Sequence, residues 1–203
     1  MLKHFIWDFD GTLYNSYPVI TQAALGTFRE FNQPYTDQND FYRQIKIGSL
    51  GELIQKAGID KGAFDNIFVA KEGQELAKIL PFAETKSTVM ALAKRGGQQF
   101  ILTHRQVASA EKLLQRDGLL GYFSEIVGAD SGFPRKPQPH SLTYLLNKFQ
   151  LNPTETLMVG DRRLDVIAGK NAGCQTCLFD QDGFLGEIPA DYLVKDLAEI
   201  LSL

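Results

Sequence analysis

Asp8-Phe9-Asp10-Gly11-Thr12-Leu13 is the stretch on which the reading of this chain turns: two carboxylates stand two positions apart, directly after the apolar run Phe5-Ile6-Trp7. Such a run reads as a buried strand. Two unpaired acids in the middle of a strand would each cost on the order of several kcal/mol. The pair therefore belongs where the strand opens into a turn and a cation or polar ligand can reach it. Gly11 and Thr12 supply that turn. Taken alone, the stretch reads equally well as a capped turn, so its meaning depends on the rest of the chain.

Working outward, two further apolar runs end in functional side chains. Ile101-Leu102-Thr103 ends in a hydroxyl, and Met158-Val159-Gly160-Asp161 ends in an acid, with Asp165 four residues later. Between them, Arg135-Lys136-Pro137 holds a lysine in an extended segment. Around these runs strand and helix patterns alternate. A helix over about 84–94 stops at Gly96-Gly97, and a strand over 99–103 follows. A helix over about 106–116 ends at Asp117-Gly118, before a short strand at 125–128. A helix through Leu142, Leu145, Leu146 and Phe149 precedes a strand over 156–160, then a helix through Val166 and Ile167 and a strand near Cys177. This rhythm predicts an α/β fold, a Rossmann-like parallel sheet with helices on both faces, whose ligands bind beyond the carboxyl ends of the strands. Asp8, Thr103 and Asp161 each follow such an end.

From Ser16 to Phe82 the pattern is helical instead. Val19, Ala23, Leu25, Phe28 and Phe31 recur at near-helical spacing after Pro18, and a second helix covers Phe41 to Ile47. Ser49 and Glu52 form a capping box for a third, and Asp60 opens a long one through Phe64, Ile67, Phe68, Leu76 and Leu80 that Pro81 ends. The expected division is an α/β core of residues 1–15 and 83–203, interrupted by an all-helical cap of residues 16–82.

Bulk properties narrow the function classes. With 203 residues and 44% hydrophobic content the chain can bury a substantial core. A formal charge of -3, with its 21 basic residues dispersed, gives no footprint for nucleic acid. No apolar run approaches the roughly 18 residues of a membrane span, and the amino terminus lacks a secretory pattern, so no membrane partner and a cytoplasmic location are expected. Cys174 and Cys177 have C-x-x-C spacing, but their segment reads as strand rather than helix start, so both are expected to be reduced core thiols.

In order and spacing, Asp8-x-Asp10, Thr103, Lys136 and Gly160-Asp161-x-x-x-Asp165 resemble the four motifs of the haloacid dehalogenase (HAD) superfamily, from Leu2 to about Phe179. The place of the helical insertion, and the segment from Pro139 through Gly173, are similar to the phosphoglycolate phosphatase-like branch. The resemblance implies a Mg²⁺-dependent phosphatase acting on a small soluble phosphate monoester through an aspartyl phosphate. Asp8 is then the nucleophile and Asp10 the general acid and base, while Thr103 and Lys136 neutralise the phosphoryl group. Oxygen donors suit Mg²⁺, with Asp8, the Asp10 carbonyl and Asp161 as ligands and Asp165 in or just behind them. Gly11, Thr12 and His104, together with Gly48 and Ser49 of the insertion, are expected to meet substrate.

Asp10 speaks against a dehalogenase, which needs no proton for its leaving group. Two alternatives stay open, a sugar phosphomutase of the β-phosphoglucomutase type and a non-catalytic binding protein on the same fold. The second motif departs from the family pattern. It reads Thr103-His104-Arg105, where relatives often carry a small or amide residue after the hydroxyl. Arg105 is expected as an exposed helix-start residue, with contact to an anionic leaving group as its alternative. Substrate identity and oligomeric state are not legible at this level.

Overall fold

The computed structural model covers residues 1–203 and divides into two compact units, Met1–Tyr14 with Pro81–Leu203, and Asn15–Leu80. The chain begins with β1 (His4–Trp7) and the short β2 (Tyr14–Asn15). Four helices follow, α1 (Tyr17–Glu30), α2 (Gln38–Ile47), α3 (Leu50–Lys56) and α4 (Lys61–Gln74). After β3 (Leu80–Pro81), which pairs with β2, come α5 (Thr85–Lys94), β4 (Gln98–Leu102), α6 (Val107–Arg116) and β5 (Glu125–Val127). The chain closes with α7 (His140–Lys148), β6 (Thr156–Gly160), α8 (Arg163–Asn171), β7 (Gln175–Phe179) and β8 (Tyr192–Val194).

The first unit is built on a six-stranded sheet in the order β5-β4-β1-β6-β7-β8, parallel throughout. Parallel strands are covered on both faces, which is why their sequences read as unbroken apolar runs. Ile6, Phe100, Leu102 and Met158 pack with Leu142, Leu145 and Leu146 of α7 and Ala168 of α8. Strand alternation turns Trp7 and Gln99 to the opposite face. There the Trp7 indole donates to Gln99 Oε1 at 3.2 Å, and Gln99 Nε2 donates to the Val89 carbonyl of α5 at 2.9 Å. The expected α/β fold with helices on both faces is the one observed.

β1 is central, with β4 on one side and β6 on the other, and Trp7 stands level with Ile101 and Val159. The carboxyl ends of three strands therefore coincide, and the chain leaves β1 between neighbours whose connections run in opposite directions. That is where open α/β sheets form a ligand crevice.

The second unit is helical. Asp37, Ser49 and Asp60 act as N-caps whose side chains accept backbone N–H bonds. Its core is aromatic: Phe28 meets Phe41 edge-on at 5.8 Å and Phe64 at 4.8 Å between ring centroids.

Two local expectations differ from the structure. The helix opened by Asp60 ends at Gln74, not at Pro81, and a 3₁₀ turn at Leu76–Lys78 carries the chain into β3. Gly73 weakens the last turn, and Leu80 is exposed, so no buried stripe holds the helix together further on. The sixth strand, β8, and the 3₁₀ turn Leu197–Ser202 after it lie beyond the last strand expected. Cys174 and Cys177 are free and buried, with thiols pushed up to about 12 by burial.

Candidate active site

Asp8 continues β1 by one residue, its N–H donating to the Val159 carbonyl at 2.8 Å, and it is 1% exposed. The chain then turns at once. The N–H groups of Leu13 and Tyr14 donate to the Phe9 carbonyl, and Gly11 takes a φ of 83°, which favours glycine. This turn directs Asp10 back over the sheet edge. It also lets the Thr12 hydroxyl donate to Asp161 Oδ1 at 3.3 Å across 149 residues of sequence.

Asp161 follows β6, and Asp165 lies in the first turn of α8, where its Oδ2 accepts the Arg162 N–H at 3.1 Å. Gly160 makes that approach possible. A Cβ there would stand 2.3 Å from Asp165 Cβ and 2.5 Å from Asp165 Oδ2. Lys136 reaches the same point from the loop after β5. Its ammonium lies 2.5 Å from Asp8 Oδ1 and 2.6 Å from Asp165 Oδ1, and it donates to the Leu102 carbonyl at 3.0 Å.

The charges do not balance. Asp8, Asp161 and Asp165 are all buried, with ligand oxygens within 4.8 Å of one another. Burial pushes the Asp8 carboxyl up to about 8; Lys136 and Arg162 draw it down, and Asp165 and Asp161 push it further up. Burial also works against the Lys136 charge, but Asp165 and Asp8 outweigh it and hold the ammonium above its usual range. Asp8 Oδ2 is buried without a hydrogen-bond partner. Hard oxygen donors, excess negative charge and an unsatisfied carboxylate oxygen together fit a divalent cation such as Mg²⁺.

Thr103 follows β4 and is buried, its Oγ accepting the Arg105 N–H at 3.0 Å, which leaves its own hydroxyl proton to donate elsewhere. His104 is half-buried, but its Nε2 is fully enclosed and without a hydrogen-bond partner. Burial, with Lys136, Arg162 and Arg135 nearby, pushes its imidazole down to about 2. Asp8, Asp10, Thr12, Thr103, His104, Lys136, Asp161 and Asp165 all belong to the α/β unit. Gly48 and Ser49 belong to the helical one. There the Gly48 N–H donates to the Gln44 carbonyl at the end of α2, and Ser49 Oγ accepts the Glu52 N–H at the start of α3.

Arg105 overturns its expectation. It is 7% exposed, and its guanidinium grips Asp10, with Nη2 2.7 Å and Nε 3.1 Å from Oδ1 and Nε 3.3 Å from Oδ2. A signal for this existed. Asp10 lies two residues beyond Asp8, Arg105 two beyond Thr103, and parallel neighbours in register bring such positions to one edge. A second unforeseen cation is Lys46 in the helical unit, buried with its ammonium 5.5 Å from the Tyr17 ring centroid and 5.8 Å from that of Tyr42.

The chain is similar to known proteins along its whole length. The chain is 29% identical over 220 residues to the phosphoglycolate phosphatase of Vibrio vulnificus strain YJ016, covering 100% of this chain and 96% of that protein. It is likewise 29% identical over 221 residues to the phosphoglycolate phosphatase of Vibrio cholerae, with the same coverage. A crystal structure from Haemophilus somnus, described as a predicted phosphoglycolate phosphatase, superposes with a TM-score of 0.81 at 25% identity, covering 99% of this chain and 97% of that one. A phosphatase-described structure from Clostridium acetobutylicum shares the fold, with a TM-score of 0.84 at 18% identity and full coverage of both chains. The family model of haloacid dehalogenase-like hydrolases matches residues 5–179, and the chain belongs to that family.

Proposed function

We propose that this hydrolase is a Mg²⁺-dependent phosphatase of small phosphate monoesters, phosphoglycolate among them, acting through an aspartyl phosphate at Asp8. One observation carries the reading. Asp8 is held at the mouth of the sheet between Lys136 and two further buried carboxylates, with Oδ2 unpartnered. The Vibrio relatives named for phosphoglycolate support the substrate class.

Asp8, Asp161 and the Asp10 carbonyl would hold the cation, with Asp165 behind them; when bound, Mg²⁺ supplies charge neutralisation for the phosphoryl group. The rest falls to side chains. Lys136 orients Asp8 and, with the Thr103 hydroxyl, meets the phosphoryl oxygens. Asp8 attacks phosphorus, the bond from phosphorus to the ester oxygen breaks, and Asp10 protonates that oxygen. Asp10 then takes a proton from the water that attacks the aspartyl phosphate, which releases inorganic phosphate and restores Asp8.

The test is phosphate release from a panel of small phosphate esters with Mg²⁺ and with chelator, for the wild type and Asp8→Asn. The wild type is expected to lose activity with chelator, and the variant to fall by on the order of 10³-fold or more. Activity surviving in Asp8→Asn would reject the assigned nucleophile.

A further inference from the structure

The mechanism gives Asp10 a proton to deliver and another to collect, yet both of its carboxylate oxygens are taken by Arg105. A carboxylate whose two oxygens are both gripped by a guanidinium fork is not free to turn to a leaving oxygen, and parting the pair in a largely desolvated place is costly. The Asp10 side chain is 18% exposed and that of Arg105 5%.

Arg105 is built into its place. Its N–H donates to Thr103 Oγ, and its carbonyl accepts the Ala129 N–H at 2.9 Å. A Cβ on Gly128 would stand 2.7 Å from that carbonyl oxygen, so only glycine lets the neighbouring strand end come so close. Nη1 donates to Ser109 Oγ at 3.0 Å, and the guanidinium carbon lies 5.6 Å from the centroid of the Phe9 ring. The backbone and the Ser109 arm are thus anchored independently of Asp10. Releasing Asp10 leaves a presented Nε–Nη2 edge of the fork, which matches a carboxylate or phosphate in a bidentate fashion.

We propose that Arg105 is a specificity-determining residue that passes from Asp10 to a second anionic group on the substrate, so that an ester with such a group frees its own general acid. The inference rests on the phosphatase reading above and deepens it. A neutral ester offers nothing in exchange for the ion pair and is turned over with Asp10 still held. Discrimination on the order of 10²-fold in kcat/KM follows, because only an ester that replaces Asp10 in the fork meets a free general acid, and general acid catalysis contributes about 10²-fold or more.

Three two-carbon esters separate the possibilities: phosphoglycolate, 2-hydroxyethyl phosphate, and ethane-1,2-diyl bisphosphate. The first and third carry a second anion as carboxylate or phosphate, and the second is the neutral counterpart of the first. The wild type is expected to prefer one or both anionic esters over the neutral one by on the order of 10²-fold in kcat/KM, with kcat contributing and not KM alone. Which anionic ester leads identifies the natural group. Arg105→Gln is expected to erase the preference, lowering kcat/KM for the anionic esters by far more than for the neutral one. Arg105→Lys, which keeps the charge but not the fork, should fall between, and it serves where the glutamine variant does not fold. Equal turnover of charged and neutral esters by the wild type, or an equal loss on all three in a folded Arg105 variant, would overturn the inference and leave the phosphatase reading standing. Failure of the wild type to hydrolyse any of the three with Mg²⁺ would overturn the inference, while the phosphatase reading is decided by the wider panel and Asp8→Asn.

Discussion

Lys136 Nζ lies 2.5 Å from Asp8 Oδ1, although 128 residues separate the two in sequence, and both side chains are almost wholly buried. The contact joins the loop after β5 to the end of β1 and sets the electrostatics of the whole site. One lysine is shared among buried carboxylates, with burial pushing Asp8 up to about 8.

Magnesium dependence should therefore vary with pH. A carboxyl raised from 3.8 to about 8 on folding stabilises the metal-free protein fully below 3.8, and that contribution is lost as pH rises through 8. The proposed cation needs Asp8 ionised. Below about pH 8 it must displace a proton, so its apparent affinity falls by about tenfold per pH unit. Thermal unfolding with and without Mg²⁺ should show a stabilising shift at pH 8.5 that shrinks by pH 6 and is absent in Asp8→Asn. A shift of equal size at both pH values would show that Asp8 is not a ligand.

Gly160→Ala should damage the site without touching a reactive group. The new Cβ would overlap Asp165 Cβ, Cγ and Oδ2, at 2.3, 2.4 and 2.5 Å, so the first turn of α8 must shift. The expected cost is about 1–3 kcal/mol in denaturant unfolding, with weaker Mg²⁺ binding as Asp165 moves. Gly121 has nothing within 4 Å of its would-be Cβ, and Gly121→Ala is the neutral control. Equal behaviour of the two variants would mean that close packing at Gly160 does not position Asp165.

The end of β1 was legible because chemistry and hydrophobic pattern coincide there: Phe5-Ile6-Trp7 is buried and the acids begin where the strand ends. The strand order was not. Nothing local to Ile101 or Val159 says that these residues flank Trp7, and the register alone makes Asp8, Thr103 and Asp161 neighbours. The Arg105 contact is hidden from sequence for the same reason. An arginine before a helix is solvated by default, and only Asp10, in the turn that follows the adjacent strand, gives it a half-buried partner. Strand β8 gives little sequence signal because Tyr192-Leu193-Val194 is a short edge strand with Leu193 62% exposed, so it lacks the fully apolar run that marks the central strands.

His104 should make the protein acid-sensitive. Its imidazole is pushed from 6.5 down to about 2 by burial, assisted by Lys136, Arg162 and Arg135, so the unfolded chain binds a proton that the folded chain refuses. The neutral form is stable in place above 6.5, and stability is lost as pH falls below that value towards 2. By pH 5 the loss amounts to about 2 kcal/mol. His104→Gln, which cannot titrate, should flatten this part of the stability curve. Wild type and variant with parallel curves between pH 7 and 5 would show that His104 titrates alike in both states.

Phe28→Ala tests whether the helical unit melts as its own cooperative body. Phe28 is fully buried among Tyr35, Phe41 and Phe64, at 5.0, 5.8 and 4.8 Å between ring centroids, and its loss opens the centre of that cluster. Truncation of a buried phenylalanine costs about 3–5 kcal/mol. The reporter for the other unit is already present, since Trp7 is the chain's single tryptophan and is buried in β1. Denaturant unfolding of Phe28→Ala followed by far-ultraviolet circular dichroism should begin well before the change in Trp7 fluorescence, because most of the helical signal from α1 to α4 is lost first. Coincident transitions for the two probes, displaced together to lower denaturant, would instead show one cooperative unit and refute independent melting of residues 15–80.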